Sequence, residues 1–257
     1  RPREDKRYAV NNLCLGLTIF VIGLFKKVCI ADTMANYANP VFAAAQSGET
    51  IEFLSAWSGA LAYTFQLYFD FSGYSDMAVG LARMFGIVLP VNFFSPYKAM
   101  NIIDFWRRWH MTLSRFLRDY IYIPLGGNRR GPTRRYINLM VTMVLGGLWH
   151  GAGWTFILWG AMHGVMLVIN HGWHLCRRTL GIGEATFGGC GLWMARLTTF
   201  FFVVLAWVMF RAESLDAATM VYAGMFGFNG LDLPIRIAEA TQLAPDQFVN
   251  LGIRVVE

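Results

Sequence analysis

Fourteen almost wholly apolar residues, Tyr136–Trp149 (YINLMVTMVLGGLW), deliver the chain to His150 and then to Gly151-Ala152-Gly153. This run restricts the possible folds more than any other stretch. At a rise of ~1.5 Å per residue it reaches only about 21 Å, short of the ~30 Å hydrocarbon core of a bilayer. A helix entering at the basic loop before it would leave His150 inside the membrane. Ionisable groups there are costly and usually mark a pathway or a reaction. The two glycines permit a kink or break, and broken backbone at that depth is tolerated only inside protein or beside a water-filled cavity. A second apolar run, Trp154–His174, leaves again and contains Ala161-Met162-His163-Gly164.

Composition supports a membrane setting. Of 257 residues, 56% are hydrophobic and only 15% are charged, against about 25% charged in a soluble domain. The chain reads as an all-α, polytopic integral membrane protein. A large soluble α domain is the weaker reading, and the alternating ~10-residue strands of a membrane barrel are not seen. A start at Arg1 without Met and an end at Glu257 in an amphipathic stretch read as a fragment, a partial single transmembrane domain over 1–257. Cys14, Cys29, Cys176 and Cys190 form no C-x-x-C pair, so neither a disulfide framework nor a zinc site is expected.

Charge is unevenly placed. Nine basic residues lie between Lys98 and Arg135, opposed only by Asp104 and Asp119. Beside apolar flanks this reads as a cytoplasmic segment and not as a nucleic-acid surface. The expected spans are Asn12–Ile30, Phe53–Phe69 and Trp193–Phe210, with a further one beginning at Ala217–Phe228. Lys26 and Lys27 snorkel from the end of the first span. Ala31–Glu52, with three acids and no Lys or Arg, reads as an external loop. Asp70-Phe-Ser-Gly-Tyr-Ser-Asp76 follows the second span and leads into a short helix that Gly86 and Pro90 end. Ile102–Ile121 reads as one amphipathic helix on the membrane surface. Its apolar face holds Ile102, Phe105, Trp106, Trp109, Leu113, Phe116, Leu117 and Tyr120, with His110 at the boundary.

His150 has two readings: a buried histidine holding a kinked helix, or a general base, since an imidazole with a pKa near ~6.5 accepts a hydroxyl proton at neutral pH. His110 gains weight if the amphipathic helix floors the cavity beside His150. Asp70 and Asp76 read first as capping groups or partners of a cytoplasmic arginine. The tryptophans read as packing or interface anchors, although aromatics beside a site also stack on sugars. No Walker loop, dinucleotide fingerprint, G-x-S-x-G or H-E-x-x-H occurs, so ATP, NAD and zinc are not expected.

Five ordered motifs carry a family resemblance: Phe69-Asp-Phe-Ser-Gly-Tyr-Ser-Asp76, Asp104-Phe-Trp-Arg-Arg-Trp-His110, Arg118-Asp-Tyr-Ile-Tyr-Ile-Pro-Leu-Gly-Gly-Asn-Arg129, Gly147-Leu-Trp-His-Gly-Ala152 and Leu158-Trp-Gly-Ala-Met-His-Gly164. Over roughly Arg1 to His174 the chain resembles the bacterial branch of the membrane-bound O-acyltransferases, above all the alginate O-acetyltransferase group. The resemblance implies a multi-helix fold with a central funnel, an amphipathic surface helix, short broken helices and earlier helices preceding Arg1. It implies His150 and His110 as catalytic residues, and we take Trp106, Trp149, Asn128, Arg118, Asp70 and His163 as candidate substrate-binding residues. The implied activity is transfer of an acetyl group to hydroxyls of an exported polysaccharide, or a related reaction on peptidoglycan or teichoic acid. No bound cofactor is implied. Acetyl-CoA or another acetyl donor would arrive as substrate from the cytoplasmic side, and a periplasmic acetyltransferase partner or the polysaccharide itself would take the group at a bacterial inner membrane. The competing readings are a transporter with a histidine proton relay and a non-catalytic export scaffold.

Overall fold

The computed structural model describes residues 2–181, 188–234 and 253–256. The first helix, α1 (Pro2–Phe25), passes through a π-helical turn at Lys26–Ala31 straight into α2 (Asp32–Gln46). The external loop expected at Ala31–Glu52 is therefore mostly helix. Charge counting misread it: Ala38, Phe42 and Ala45, spaced four and three apart, form a buried helical face. Tyr8–Gln46 and Gly189–Arg211 are long and apolar enough to cross a membrane, by length and composition, among the described residues.

The next helix, α3 (Phe53–Met84), is 32 residues long and uninterrupted. The break expected after Phe69 is absent. Asp70–Asp76 instead sits on the helix flank, where Lys27 pairs with Asp70 at 2.7 Å and Lys26 pairs with Asp76. These ion pairs continue a close antiparallel crossing of α1 and α3. A Cβ at Gly16 would lie 2.5 Å from the Gly80 carbonyl, and one at Gly23 would lie 2.6 Å from that of Gly73. Both helices thus present glycines seven residues apart, and the backbones meet where a side chain would keep them apart.

The expected amphipathic helix is three pieces: α4 (Ile102–Arg108), α5 (Met111–Leu117) and a π-helical turn at Arg118–Tyr122. Its apolar face is otherwise as expected over most of its length. Ile102, Phe105, Trp109, Leu113 and Leu117 are buried, whereas Phe116 and Tyr120 at the far end are exposed.

Helix α6 (Gly131–His150) has 20 residues, not fourteen, because Pro132 in its first turn starts the helix ahead of Arg134 and Arg135. At about 30 Å it matches a hydrocarbon core, so helix length no longer places His150 part-way across. The break after His150 is present: Gly151 is extended, and α7 (Trp154–Thr179) turns back against α6. A Cβ at Gly147 would lie 2.2 Å from the Phe156 carbonyl, and one at Gly160 would lie 2.3 Å from that of Met143. His150 therefore occupies the turn of a tight helical hairpin.

Helix α8 (Gly189–Arg211) buries Val203, Val204, Trp207 and Val208. The span expected to begin at Ala217 is only α9 (Leu215–Met225), 11 residues long. At about 17 Å it is too short to cross. It packs Ala217, Ala218 and Val221 inward and is followed by a small parallel pair of strands, β1 (Leu231–Pro234) and β2 (Ile253–Val256). Among the described residues these strands are the one addition to an otherwise helical architecture.

Candidate active site

The break between α4 and α5 falls on His110, whose backbone is left-handed at φ 40° and ψ 57°. A non-glycine residue there costs on the order of 1 kcal/mol, and neighbouring contacts hold it. The segment before α4 runs alongside the break. Phe94 N–H donates to the Arg108 carbonyl at 2.9 Å, and Met111 N–H donates to the Asn92 carbonyl at 3.0 Å. The Asn92 side chain then completes the start of α5. Its Oδ1 accepts from Thr112 N–H at 3.2 Å and from Thr112 Oγ1 at 2.8 Å. These amides of the first turn would otherwise lack acceptors. His110 occupies the N-cap position but caps nothing with its own side chain, so the imidazole is free to take other partners.

His110 Nδ1 lies 3.3 Å from Asn92 Oδ1 and 3.4 Å from Thr112 Oγ1. The ring stands edge-on to Phe71 at 4.7 Å. A cavity of about 250 Å³ borders these partners and is lined by Phe71, Ser75, Asn92 and Thr112 among others. Burial pushes His110 down to about 4, and the charge of His150 lowers it further. His150, 40 residues further along the sequence, is thus near enough for its charge to act on His110.

His150 stands at the hairpin turn inside an aromatic setting. Trp149, Trp159 and Phe210 lie with ring centroids 4.9, 5.2 and 5.0 Å away. Trp207 joins this group to the α4–α5 break, 4.8 Å from Trp109 and 5.5 Å from Phe210. A run of packed rings, Trp109, Trp207 and Phe210, therefore links the two histidines, and each histidine lies at a helix discontinuity.

The other candidates separate. Trp149 is 62% exposed beside His150. Trp106 faces inward against His163 at 5.1 Å. His163 is fully enclosed by Phe105, Trp106, Trp159 and Trp207, and neither ring nitrogen has a hydrogen-bond partner. Asp70 is engaged by Lys27, not by an arginine of the basic segment. Arg118 pairs with Asp119, and Asn128 accepts from the Tyr122 hydroxyl and so holds the loop before α6. Asn92 and Thr112 were absent from the sequence-derived set. A larger groove, about 1040 Å³, lies elsewhere, between the later turns of α7 and the first half of α8, and includes Trp173, His174 and Arg178.

Residues 2–213 match the family described as MBOAT, membrane-bound O-acyltransferase family. The chain is 51% identical over 242 residues to the peptidoglycan O-acetyltransferase of Helicobacter pylori, covering 94% of this chain and 44% of that protein. It is 50% identical over 227 residues to the "Probable alginate O-acetylase" of Pseudomonas aeruginosa, covering 88% and 41%. A teichoic acid D-alanyltransferase of Streptococcus thermophilus is 32% identical over 189 residues, covering 70% and 45%. The chain belongs to the membrane-bound O-acyltransferase family. It spans less than half the length of these curated relatives.

Proposed function

We propose that the full-length protein is an inner-membrane, multi-pass O-acetyltransferase that moves an acetyl group onto hydroxyls of an exported polysaccharide. The observation that carries this reading is that His150 and His110 each stand at a helix break, joined by a run of packed aromatic rings, with the charge of His150 felt at His110. Ionisable groups brought together in an apolar setting are functional far more often than structural. The hydroxyl oxygen attacks the acetyl carbonyl carbon, and the bond from that carbon to the donor's leaving atom breaks. His150 takes the hydroxyl proton and returns it to the leaving group. His110 orients the donor or polarises its carbonyl. Trp149, exposed next to His150, offers a face on which a sugar stacks. Acetyl-CoA or another acetyl donor approaches from the cytoplasm, where the Lys98–Arg135 charges suit a polyanion, and a periplasmic partner completes the transfer.

The similarity to a peptidoglycan O-acetyltransferase favours peptidoglycan as the second acceptor. Family membership supports an acyltransferase over the transporter and scaffold readings. In the full-length protein, His150→Ala should abolish O-acetylation of the exported polymer while the amount of protein in the membrane stays at the wild-type level. Wild-type acetyl content in that variant would sink the assignment.

A further inference from the structure

The hydrogen bonds around Asn92 determine which nitrogen of His110 carries its proton. Thr112 N–H can only donate, so the Asn92 atom it meets at 3.2 Å is the carbonyl oxygen and not the amide nitrogen. That oxygen also receives the Thr112 hydroxyl at 2.8 Å. Having given its hydrogen to Asn92, Thr112 Oγ1 presents only lone pairs to His110 Nδ1 at 3.4 Å. Both atoms beside Nδ1 are therefore acceptors. A bare Nδ1 would set lone pair against lone pair, whereas Nδ1–H satisfies the group.

We infer that Asn92 is a positioning residue that holds His110 in the Nδ1–H tautomer, leaving the Nε2 lone pair to accept an N–H or O–H of a substrate during acetyl transfer. This rests on the proposed O-acetyltransferase reading and sharpens it. Neutral His110 has no donor at Nε2, so it orients a substrate through that substrate's own hydrogen and does not polarise the acetyl carbonyl. The Nε2–H form predominates for a free imidazole in water, so the opposite form must be imposed by a partner. The same asparagine caps α5 and fixes the left-handed backbone at His110, which couples tautomer and ring direction to one side chain.

The test uses full-length protein with 15N-labelled histidine. The His110 resonances are identified as those lost in His110→Gln. The wild type should show a protonated Nδ1 and a bare Nε2. Asn92→Leu, close in size but without an acceptor, should move the proton to Nε2 and lower polymer acetylation by about tenfold or more, through kcat and not KM. Asn92→Asp keeps the acceptor and should retain the wild-type tautomer and recover most of the lost activity. An Nε2–H signal for His110 in the wild type overturns the inference even if Asn92→Leu fails to accumulate. Wild-type acetylation in Asn92→Leu beside an inactive His110→Gln overturns the positioning role alone. Wild-type acetylation in His110→Gln removes His110 from the reaction and the positioning role with it, and His150→Ala separately tests the enzymatic reading.

Discussion

His110 departs most sharply from what its neighbours in sequence would predict. A helical pattern runs through it on both sides, yet its φ is positive and the helix stops. The fold also keeps its ring neutral. Histidine in an unfolded chain binds a proton near pH ~6.5, whereas folded His110, held down mainly by burial, does so only near 4. Between those values the unfolded state binds more protons, so stability falls as pH drops through this window and is fully present above it. Melting of the full-length protein in detergent should therefore decline more between pH 7 and pH 4.5 in the wild type than in His110→Gln. Equal declines would show that His110 is not held neutral by the fold. His150 was conspicuous in sequence as an ionisable group beside apolar runs, whereas His110 drew attention only through the amphipathic helix and the motif around it. Asn92 was not legible: it precedes Thr112 by 20 residues, sits in a stretch without regular structure, and matters only through a tertiary contact.

Glycine placement explains where sequence patterns succeeded and failed for the helices. The break after His150 was legible because Gly151 and Gly153 bracket it, and the hairpin follows from Gly147 and Gly160 meeting carbonyls across the helix pair. The continuity of α3 was not legible. Asp70, Gly73 and Asp76 look like a helix end when read alone, but Gly73 faces Gly23 and both acids find lysines on α1. Likewise, the single long amphipathic helix was wrong because residues 92–94 bond to the backbone at its centre, which no periodicity reveals. Gly80→Leu places a side chain against the Gly16 carbonyl and the Phe20 backbone, neither of which can yield cheaply. Overpacking of this kind costs about 1–3 kcal/mol, and the variant should melt several degrees lower. Gly172→Ala meets open space inside α7 and should be neutral or gain up to ~1 kcal/mol. A Gly80→Leu protein as stable as Gly172→Ala would mean that the α1–α3 crossing is not tight.

The distribution of apolar surface bears on how the molecule meets a bilayer. Leu13, Leu17, Val21, Ile22 and Leu24 on α1 are all exposed, a pattern that lipid or another apolar helix would cover. The two ends of the α6–α7 hairpin away from His150 lie together, since Arg135 reaches His171 at 2.6 Å. Arg177 and Arg178 occupy the last turn of α7 on that same side, so the basic residues at the start of α6 and the end of α7 form one cationic edge. We propose from the positive-inside bias that this edge faces the cytoplasm, with the hairpin turn and His150 at the other end of the helix pair. The four cysteines are unpaired and exposed, which makes the arrangement measurable. Cys176 lies beside Arg177 at the cationic edge, whereas Cys14 lies on the apolar flank of α1. In single-cysteine variants of the full-length protein, a membrane-impermeant maleimide should label Cys176 in inside-out vesicles but not in intact spheroplasts, and should leave Cys14 unlabelled in both. Labelling of Cys176 from outside would reverse the orientation. It would place the hairpin turn toward the cytoplasm, and a donor arriving there would reach His150 without meeting the basic face.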